Sequence, residues 1–248
     1  MIIQDAFKII SNLEIAPNYY KLTFSAPEIT KIAKPSQFIN IRVNNTCDPL
    51  LRRPFSIYDI NNDELTIIYK VVGKGTQILS EKKPGELLDV IGPLGSSFKL
   101  PASNSKIAVI AGGIGLAAVH AVIKNSENEF DLFYGVKSKN ELIEVDYWES
   151  LAEKTFLSSD DGSCGEKTFI TDLFNKHANN YNLLLCCGPK IMMRKISQNN
   201  PNIESYFMLE EYMACGLGLC MGCVCETKSG NVRICKEGPA LKGENIKW

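Results

Sequence analysis

Five of the chain's nine cysteines crowd into the stretch from Cys215 to Cys235. Their spacing is Cys215-x4-Cys220-x2-Cys223, followed by Cys225 and Cys235. Three thiolates from one loop, spaced four and then two residues apart, with a fourth arriving from further along, form the ligand pattern of a plant-type [2Fe–2S] centre. Gly216, Gly218 and Gly222 lie among them. Glycine lets backbone N–H groups approach sulfur without a side chain in the way. Two cysteines compete for the fourth place. Cys235 lies beyond a hairpin signal at Ser229-Gly230-Asn231, which would return it to the loop. Cys225 faces the same side as Cys223 only if a regular strand leaves the loop there. The geometry favours Cys235. A zinc ribbon is the alternative, but it uses two close cysteine pairs set well apart, and only one side has a pair here. Cys47, Cys164 and Cys186 read as ordinary small residues of the interior.

A second chemistry is suggested by glycine. Ala111-Gly112-Gly113-Ile114-Gly115 follows an apolar run and opens a helix, the place where an α/β sheet holds a phosphate on N–H groups and the helix dipole. The pattern G-G-x-G is shorter than the full dinucleotide fingerprint, and close packing of helix on strand would call for the same glycines. A matching turn, Cys187-Gly188-Pro189, ends the run from Leu183 and precedes another helix. Both turns sit at carboxyl ends of parallel strands and so face one crevice. Met192 and Met193 read as core. Nearer the start, Arg52-Arg53-Pro54-Phe55-Ser56 lies in a strand. An arginine there can fork onto a pyrophosphate, and a serine hydroxyl can reach a ring heteroatom. Gly75-Thr76 opens the one helix expected in this region, a second anion site.

These residues need elements to position them. Up to about residue 100 the 248-residue chain reads as short β-runs at 19–27, 36–44, 53–60, 64–72 and 86–93, divided by Pro, Asn, Asp and Gly, with a helix over 75–83. That rhythm predicts an antiparallel β-barrel or sandwich. From about 105 to 210 strand and helix alternate, including a helix over 140–154, which predicts a parallel, doubly wound α/β domain. The polar link 101–105 divides the two. The tail follows neither rhythm and is too small for a core of its own, so an inorganic centre must organise it. The expected units are an antiparallel β-barrel (1–101), a nucleotide-binding α/β domain (102–210) and a cluster domain (211–248).

Composition removes other classes. The 27 basic and 28 acidic residues leave a net charge of -1, which argues against a footprint for nucleic acid or anionic lipid. Two histidines, His120 and His177, count against a catalytic triad or a His-ligated metal. The uncharged run from Ile107 to Ile123 is broken by three glycines and sits at the short edge of a membrane span, so a buried strand, turn and helix explain it better. The first ten residues mix polar and charged types into any apolar stretch, unlike a secretory signal. A cytoplasmic protein is expected.

The order of motifs is distinctive: R-P-F-S, G-K-G-T, A-G-G-I-G, C-G-P-K-x-M-M and then C-x4-C-x2-C. Across essentially its whole length the chain resembles the ferredoxin reductase-like flavoproteins. Within them it looks closest to the electron-transfer subunits of NAD-dependent (class B) dihydroorotate dehydrogenases. The resemblance implies FAD between barrel and α/β domain. Arg53, Pro54, Phe55 and Ser56 would match the flavin motif, Ile68, Tyr69 and Lys70 the strand beside the flavin, and Gly75 and Thr76 the pyrophosphate contact. Gly112, Gly113 and Gly115, with Cys187, Gly188 and Pro189, would border an exchangeable NAD. Cys215, Cys220, Cys223 and Cys235 match the family's cluster ligands, with Cys225 an extra thiol. The implied partner is a separate FMN-containing catalytic subunit that oxidises dihydroorotate for pyrimidine biosynthesis, in a heterotetramer with two copies of each. Electrons would run from FMN through [2Fe–2S] and FAD to NAD⁺, with the tail as docking surface. Subunits of ferredoxin:NADP oxidoreductase, sulfide dehydrogenase or sulfite reductase share the layout, and a non-catalytic zinc-stabilised binding module is the rival of another class. The residues after the second α/β strand, Gly135-Val136-Lys137-Ser138, leave NAD and NADP undivided.

Overall fold

The structure is a computed structural model that describes residues 1–104 and 106–248. Ser105, the last residue of the expected link, lies outside them. The first sheet has seven antiparallel strands: β1 (Ile3–Ala16), β2 (Tyr19–Ser25), β3 (Phe38–Arg42), β4 (Arg53–Ser56), β5 (Asp59–Asn61), β6 (Glu64–Lys70) and β7 (Leu87–Leu94), in the order β4-β3-β7-β1-β2-β6-β5. Helix α1 (Pro27–Thr30) follows β2, and α2 (Lys74–Ser80) lies between β6 and β7. Alternation sets the two faces. Leu65, Ile67 and Tyr69 of β6 turn inward with Leu22, Phe24, Ile39 and Ile41. Ile68 turns outward, into a core shared with the second sheet. The run 53–60, expected as one strand, divides at Ile57-Tyr58. There the Ile57 N–H bonds the Gln37 carbonyl at 3.1 Å, and the Tyr58 N–H bonds the Thr66 carbonyl at 2.9 Å. The chain thereby crosses from one sheet edge to the other and curls the sheet on itself. β1 was not among the expected strands. Only its Phe7 and Ile9 are buried, and pairing with β2 and β7 holds it in place.

The second sheet joins β8 (Ile107–Gly112), β9 (Phe130–Val136), β10 (Lys154–Ser159), β11 (Leu183–Cys187) and β12 (Glu204–Met208), all parallel, in the order β10-β9-β8-β11-β12. Helices α3 (Gly115–Lys124), α4 (Val145–Leu151), α5 (Ile170–His177) and α6 (Lys190–Asn199) connect them. The uncharged run is β8, a glycine turn and α3, with every residue of α3 from Gly115 to Ile123 buried. The helix expected over 140–154 is shorter. Glu144 takes a left-handed φ of 52° and separates a 3₁₀ turn at Lys139–Glu141 from α4.

The tail forms a hairpin, β13 (Val224–Thr227) with β14 (Gly230–Arg233), and then β15 (Ala240–Lys242). β15 pairs antiparallel with β12 as a sixth strand of the second sheet, so that sheet is mixed at this edge. Ile234, Cys223 and Cys235 share one apolar cluster with Phe38 and Leu94 of the barrel and Phe207 of the second sheet. Ser96 fastens the tail to the barrel, its N–H bonding the Gly238 carbonyl at 2.7 Å. The tail is therefore the third side of one joint.

Barrel and α/β domain also meet directly. Ion pairs Lys21–Glu144 (3.0 Å), Lys70–Glu141 (2.7 Å) and Lys124–Asp59 (2.6 Å) cross the seam. His120 lies at its centre, with Nδ1 2.7 Å from the Tyr58 carbonyl and Nε2 2.9 Å from the Tyr147 hydroxyl. A neutral ring serves both bonds, donating to the carbonyl and accepting from the hydroxyl. Burial pushes the His120 pKa down, against the opposing pull of the Tyr58 carbonyl. The unfolded chain takes up this proton near its ordinary value of about 6.5 while the fold resists it. The contribution to stability is thus complete above that pH and declines below it. We expect the melting temperature to fall as pH is lowered from 7 to 5.5, and this part of the fall to be missing in His120→Gln. Parallel pH profiles of thermal unfolding check it.

Candidate redox site

Strand order reverses between β8 and β11, from which the chain winds outward to β9 and β10 on one side and to β12 on the other. A crevice opens at such a switch point. Here it is a cleft of about 670 Å³, bordered by Gly112, Gly113, Gly115, Gly188 and Pro189, and by Tyr19 and Lys70 from the barrel. The expected glycine turns therefore meet. Gly115 serves packing: a Cβ there would stand 2.5 Å from the Cys187 carbonyl oxygen and 2.8 Å from the Gly188 nitrogen. Gly113 faces the cleft and is left-handed, with a φ of 53°. Cys187 lends the turn its backbone, since its buried thiol points to the Met208 carbonyl at 3.4 Å. Burial and the nearby Glu210 hold that thiol well above its usual range.

Also lining the cleft, the Ser158 and Thr171 hydroxyls are buried with no hydrogen-bond partner among the described residues. Beyond them Asp160 borders the cleft, its N–H tied to the Val136 carbonyl at 3.1 Å. None of the three was expected from sequence. An available signal was the acidic pair Asp160-Asp161 closing the third strand of the domain rather than the second.

On the barrel the two adjacent arginines have different partners. Arg52 is engaged with Asp89, through the carbonyl (2.9 Å) and both carboxylate oxygens (2.8 and 2.7 Å). Arg53 lies against Gly75, where a Cβ would come within 2.7 Å of its Nε, and bonds the Leu51 carbonyl at 2.5 Å. The strand of Pro54, Phe55 and Ser56 is half-buried beside it. Thr76 closes its own turn, accepting from the Val72 N–H (2.9 Å) and the Gly73 N–H (3.2 Å). The triplet from β6 splits between two faces. Tyr69 points into the barrel and donates to Asn12 Oδ1 at 3.1 Å. Lys70 points to the cleft, pairs with Glu141 and lies 4.8 Å from the Tyr19 ring centre.

The cysteine loop wraps backbone N–H groups around four sulfurs. Leu217 donates to Cys215 Sγ (3.3 Å), Gly222 to Cys220 Sγ (3.4 Å), Cys235 to Cys223 Sγ (3.4 Å) and Gly218 to Cys235 Sγ (3.1 Å). Cys225 differs: its thiol donates to the Glu226 carbonyl at 3.7 Å. Burial raises the Cys215 thiol, but the N–H groups of Leu217, Cys220 and Leu219 outweigh it and bring the pKa down to about 6. Burial and the adjacent Cys223 push Cys235 up to about 12. No three of these side chains stand at metal-ligating distance among the described residues. The fold supplies four thiols and the N–H groups that stabilise sulfur charge, a donor set suited to an iron–sulfur centre.

The fold and site define a ferredoxin reductase-like protein with an added iron–sulfur module. A solved NADH-dependent reduced ferredoxin-NADP oxidoreductase superposes with a TM-score of 0.88 at 27% identity, over 98% of this chain and 90% of that one. A ferredoxin NADP⁺ reductase from Neisseria gonorrhoeae with bound FAD and NADP shares the fold, with a TM-score of 0.67 at 16% identity over 79% of this chain and 89% of that one. Residues 210–247 match the iron–sulfur cluster binding domain of dihydroorotate dehydrogenase B. The dihydroorotate dehydrogenase B (NAD⁺) electron transfer subunit of Clostridium acetobutylicum is 38% identical over 96% of this chain and 95% of its own length. That of Geobacillus sp. (strain WCH70) is 35% identical over 99% of both. The chain belongs to this family of electron transfer subunits.

Proposed function

We propose that this chain is the electron transfer subunit of an NAD-dependent dihydroorotate dehydrogenase. It passes electrons from a separate FMN-containing catalytic subunit to NAD⁺, in a heterotetramer with two copies of each subunit. The observation that supports this most is the ring of N–H donors on Cys215, Cys220, Cys223 and Cys235 in a tail that shares its core with the barrel. When bound, a [2Fe–2S] centre exchanges single electrons, nicotinamide takes two as hydride, and flavin does both.

The chain's residues divide the work. Residues 1–101 would hold FAD, with Arg53 on the pyrophosphate against Gly75 and the turn that Thr76 closes, and Pro54, Phe55 and Ser56 beside the ring. Ile68 and Tyr69 would offer that ring their backbone, and Lys70 its side chain. Residues 102–210 would hold NAD, with Gly112, Gly113, Gly115, Cys187, Gly188 and Pro189 bordering the nicotinamide end. Residues 211–248 would hold the cluster. No acid or base is required for hydride transfer itself, which suits a site without histidine. No helix among the described residues is long and apolar enough to cross a membrane, and the nine unpaired cysteines suit a reducing cytoplasm.

Asp160 supports a preference for NAD. A carboxylate at the far end of such a cleft suits a ribose diol and repels a 2′-phosphate. We expect Asp160→Ser to move the kcat/KM ratio of NADPH over NADH upward by about tenfold or more, roughly 1.4 kcal/mol. An unchanged ratio would remove Asp160 from this role.

The docking face we assign to the cysteine loop, where Leu219 and Met221 are exposed. Cutting the chain after Glu211 would also remove β15 from the second sheet, so Leu219→Glu is the cleaner disruption. The test of function is co-expression with an FMN-containing catalytic subunit, followed by assay of NADH-driven orotate reduction. Co-purification and turnover are expected. Turnover with ferredoxin but none with orotate would favour the ferredoxin-linked relatives of the fold.

A further inference from the structure

Asn40 sits in the middle of β3, completely buried, and neither Nδ2 nor Oδ1 of its amide has a hydrogen-bond partner among the described residues. Its neighbours Ile39 and Ile41 fill the barrel interior. By alternation its side chain leaves on the opposite face, the face on which the tail packs through Phe38 and Leu94. A bulge accompanies this: β3 and β7 shift register between Phe38 and Asn40, a device that re-aims a side chain. The direction is fixed by Gly216, the residue after Cys215. Gly216 is left-handed, with a φ of 68°, and a Cβ there would stand 2.5 Å from Asn40 Nδ2. On the other side Asn40 is the register partner of Pro54 in the flavin motif. The amide thus lies between the two expected redox sites, with its N–H end against the cysteine loop.

A leucine or isoleucine would fit these apolar surroundings without stranding polar atoms. A buried carboxamide offers two donors and an acceptor, and leaving them unmade is unfavourable. The unfilled acceptor position lies toward the loop, where sulfur is the chemistry at hand. We propose that Asn40 is a positioning residue of the iron–sulfur site, whose side-chain N–H donates to a sulfur of the centre through the gap that Gly216 leaves open. This rests on the cluster reading given above. Hydrogen bonds to cluster sulfur stabilise the more negative, reduced state and so raise its potential. Asn40 is then a side-chain donor added to the backbone donors of the loop.

The test uses the full-length, iron-loaded chain. Asn40→Leu removes the donor at similar volume. The midpoint potential of the centre, from an EPR-monitored titration, should move to a more negative value. In wild-type protein labelled with 15N-asparagine, pulsed EPR of the reduced centre should show a coupled 15N that is absent in the variant. The assigned backbone donors (Leu217, Gly218, Leu219, Cys220, Gly222 and Cys235) include no asparagine, so their nitrogens do not carry the label. Should the leucine protein fail to retain iron, Asn40→Ser replaces it for the titration, and the wild-type spectrum stands by itself. A normal cluster signal without 15N coupling overturns the proposal alone, as does a shift confined to the flavin potential. A wild-type protein with no iron–sulfur signal overturns it together with the cluster reading.

Discussion

Cys235→Ser is expected to abolish the [2Fe–2S] absorbance and EPR signal and to cut NADH-driven orotate reduction more than about a hundredfold, beyond the 10–100-fold range of changes around a ligand. Cys225→Ser is expected to leave both unchanged. The two cysteines are both buried and lie in the same small segment, so neither burial nor proximity along the chain separates them. What separates them is the backbone. Gly218 donates its N–H to Cys235 Sγ, and the Cys235 N–H goes on to Cys223 Sγ, which places Cys235 inside the donor ring. Cys225 lies on β13, register partner of Val232, and its thiol is spent on a carbonyl. Transfer from NADH to a flavin-level dye should survive in Cys235→Ser, because the cleft and the barrel are untouched. Iron and sulfide analysis, the visible spectrum and the two assays together check this. A Cys225→Ser protein that loses its iron would reverse the assignment.

Arg53→Ala and Arg52→Ala should fail differently. Removing a charge-assisted hydrogen bond costs about 1.5–3 kcal/mol, so Arg53→Ala should weaken FAD binding by about ten- to a hundredfold with the fold intact. Arg52→Ala should keep FAD and lose stability, because it strips Asp89 of a bidentate partner and leaves β7 without its tie to the chain ahead of β4. Flavin retained after dialysis and the melting temperature of each variant separate the two outcomes. Flavin loss in both variants alike would mean that Arg53 has no special place.

The contrast between these arginines shows where sequence reading stops. Both sit in R-R-P-F-S, and nothing local distinguishes them. Asp89, 37 residues from Arg52 on another strand, takes Arg52 and leaves Arg53 on backbone carbonyls. The same holds for Tyr69 and Lys70, adjacent in sequence but on opposite faces of β6, and for Asn40, whose isolation depends on a glycine in the tail. β1 escaped notice because a strand paired on both sides needs few apolar residues of its own, and β15 because three residues give no periodicity. The glycine turns, the short β-runs of the barrel and the cysteine spacing were legible because each is a local pattern with a local cause. Spacing alone bears on the zinc alternative in the sequence, and the match of residues 210–247 to an iron–sulfur cluster binding domain adds a reason against it that spacing could not supply.

Anaerobic titration of the purified holoenzyme with NADH, followed by low-temperature EPR, bears most directly on the claim that a nicotinamide cleft and a cysteine-held centre communicate within this one chain. The expected result is the spin signal of a reduced [2Fe–2S] centre in the wild type and its absence in Cys235→Ser, with flavin reduced in both. Zinc bound to the four thiols, or iron that stays oxidised while the flavin is fully reduced, would contradict it.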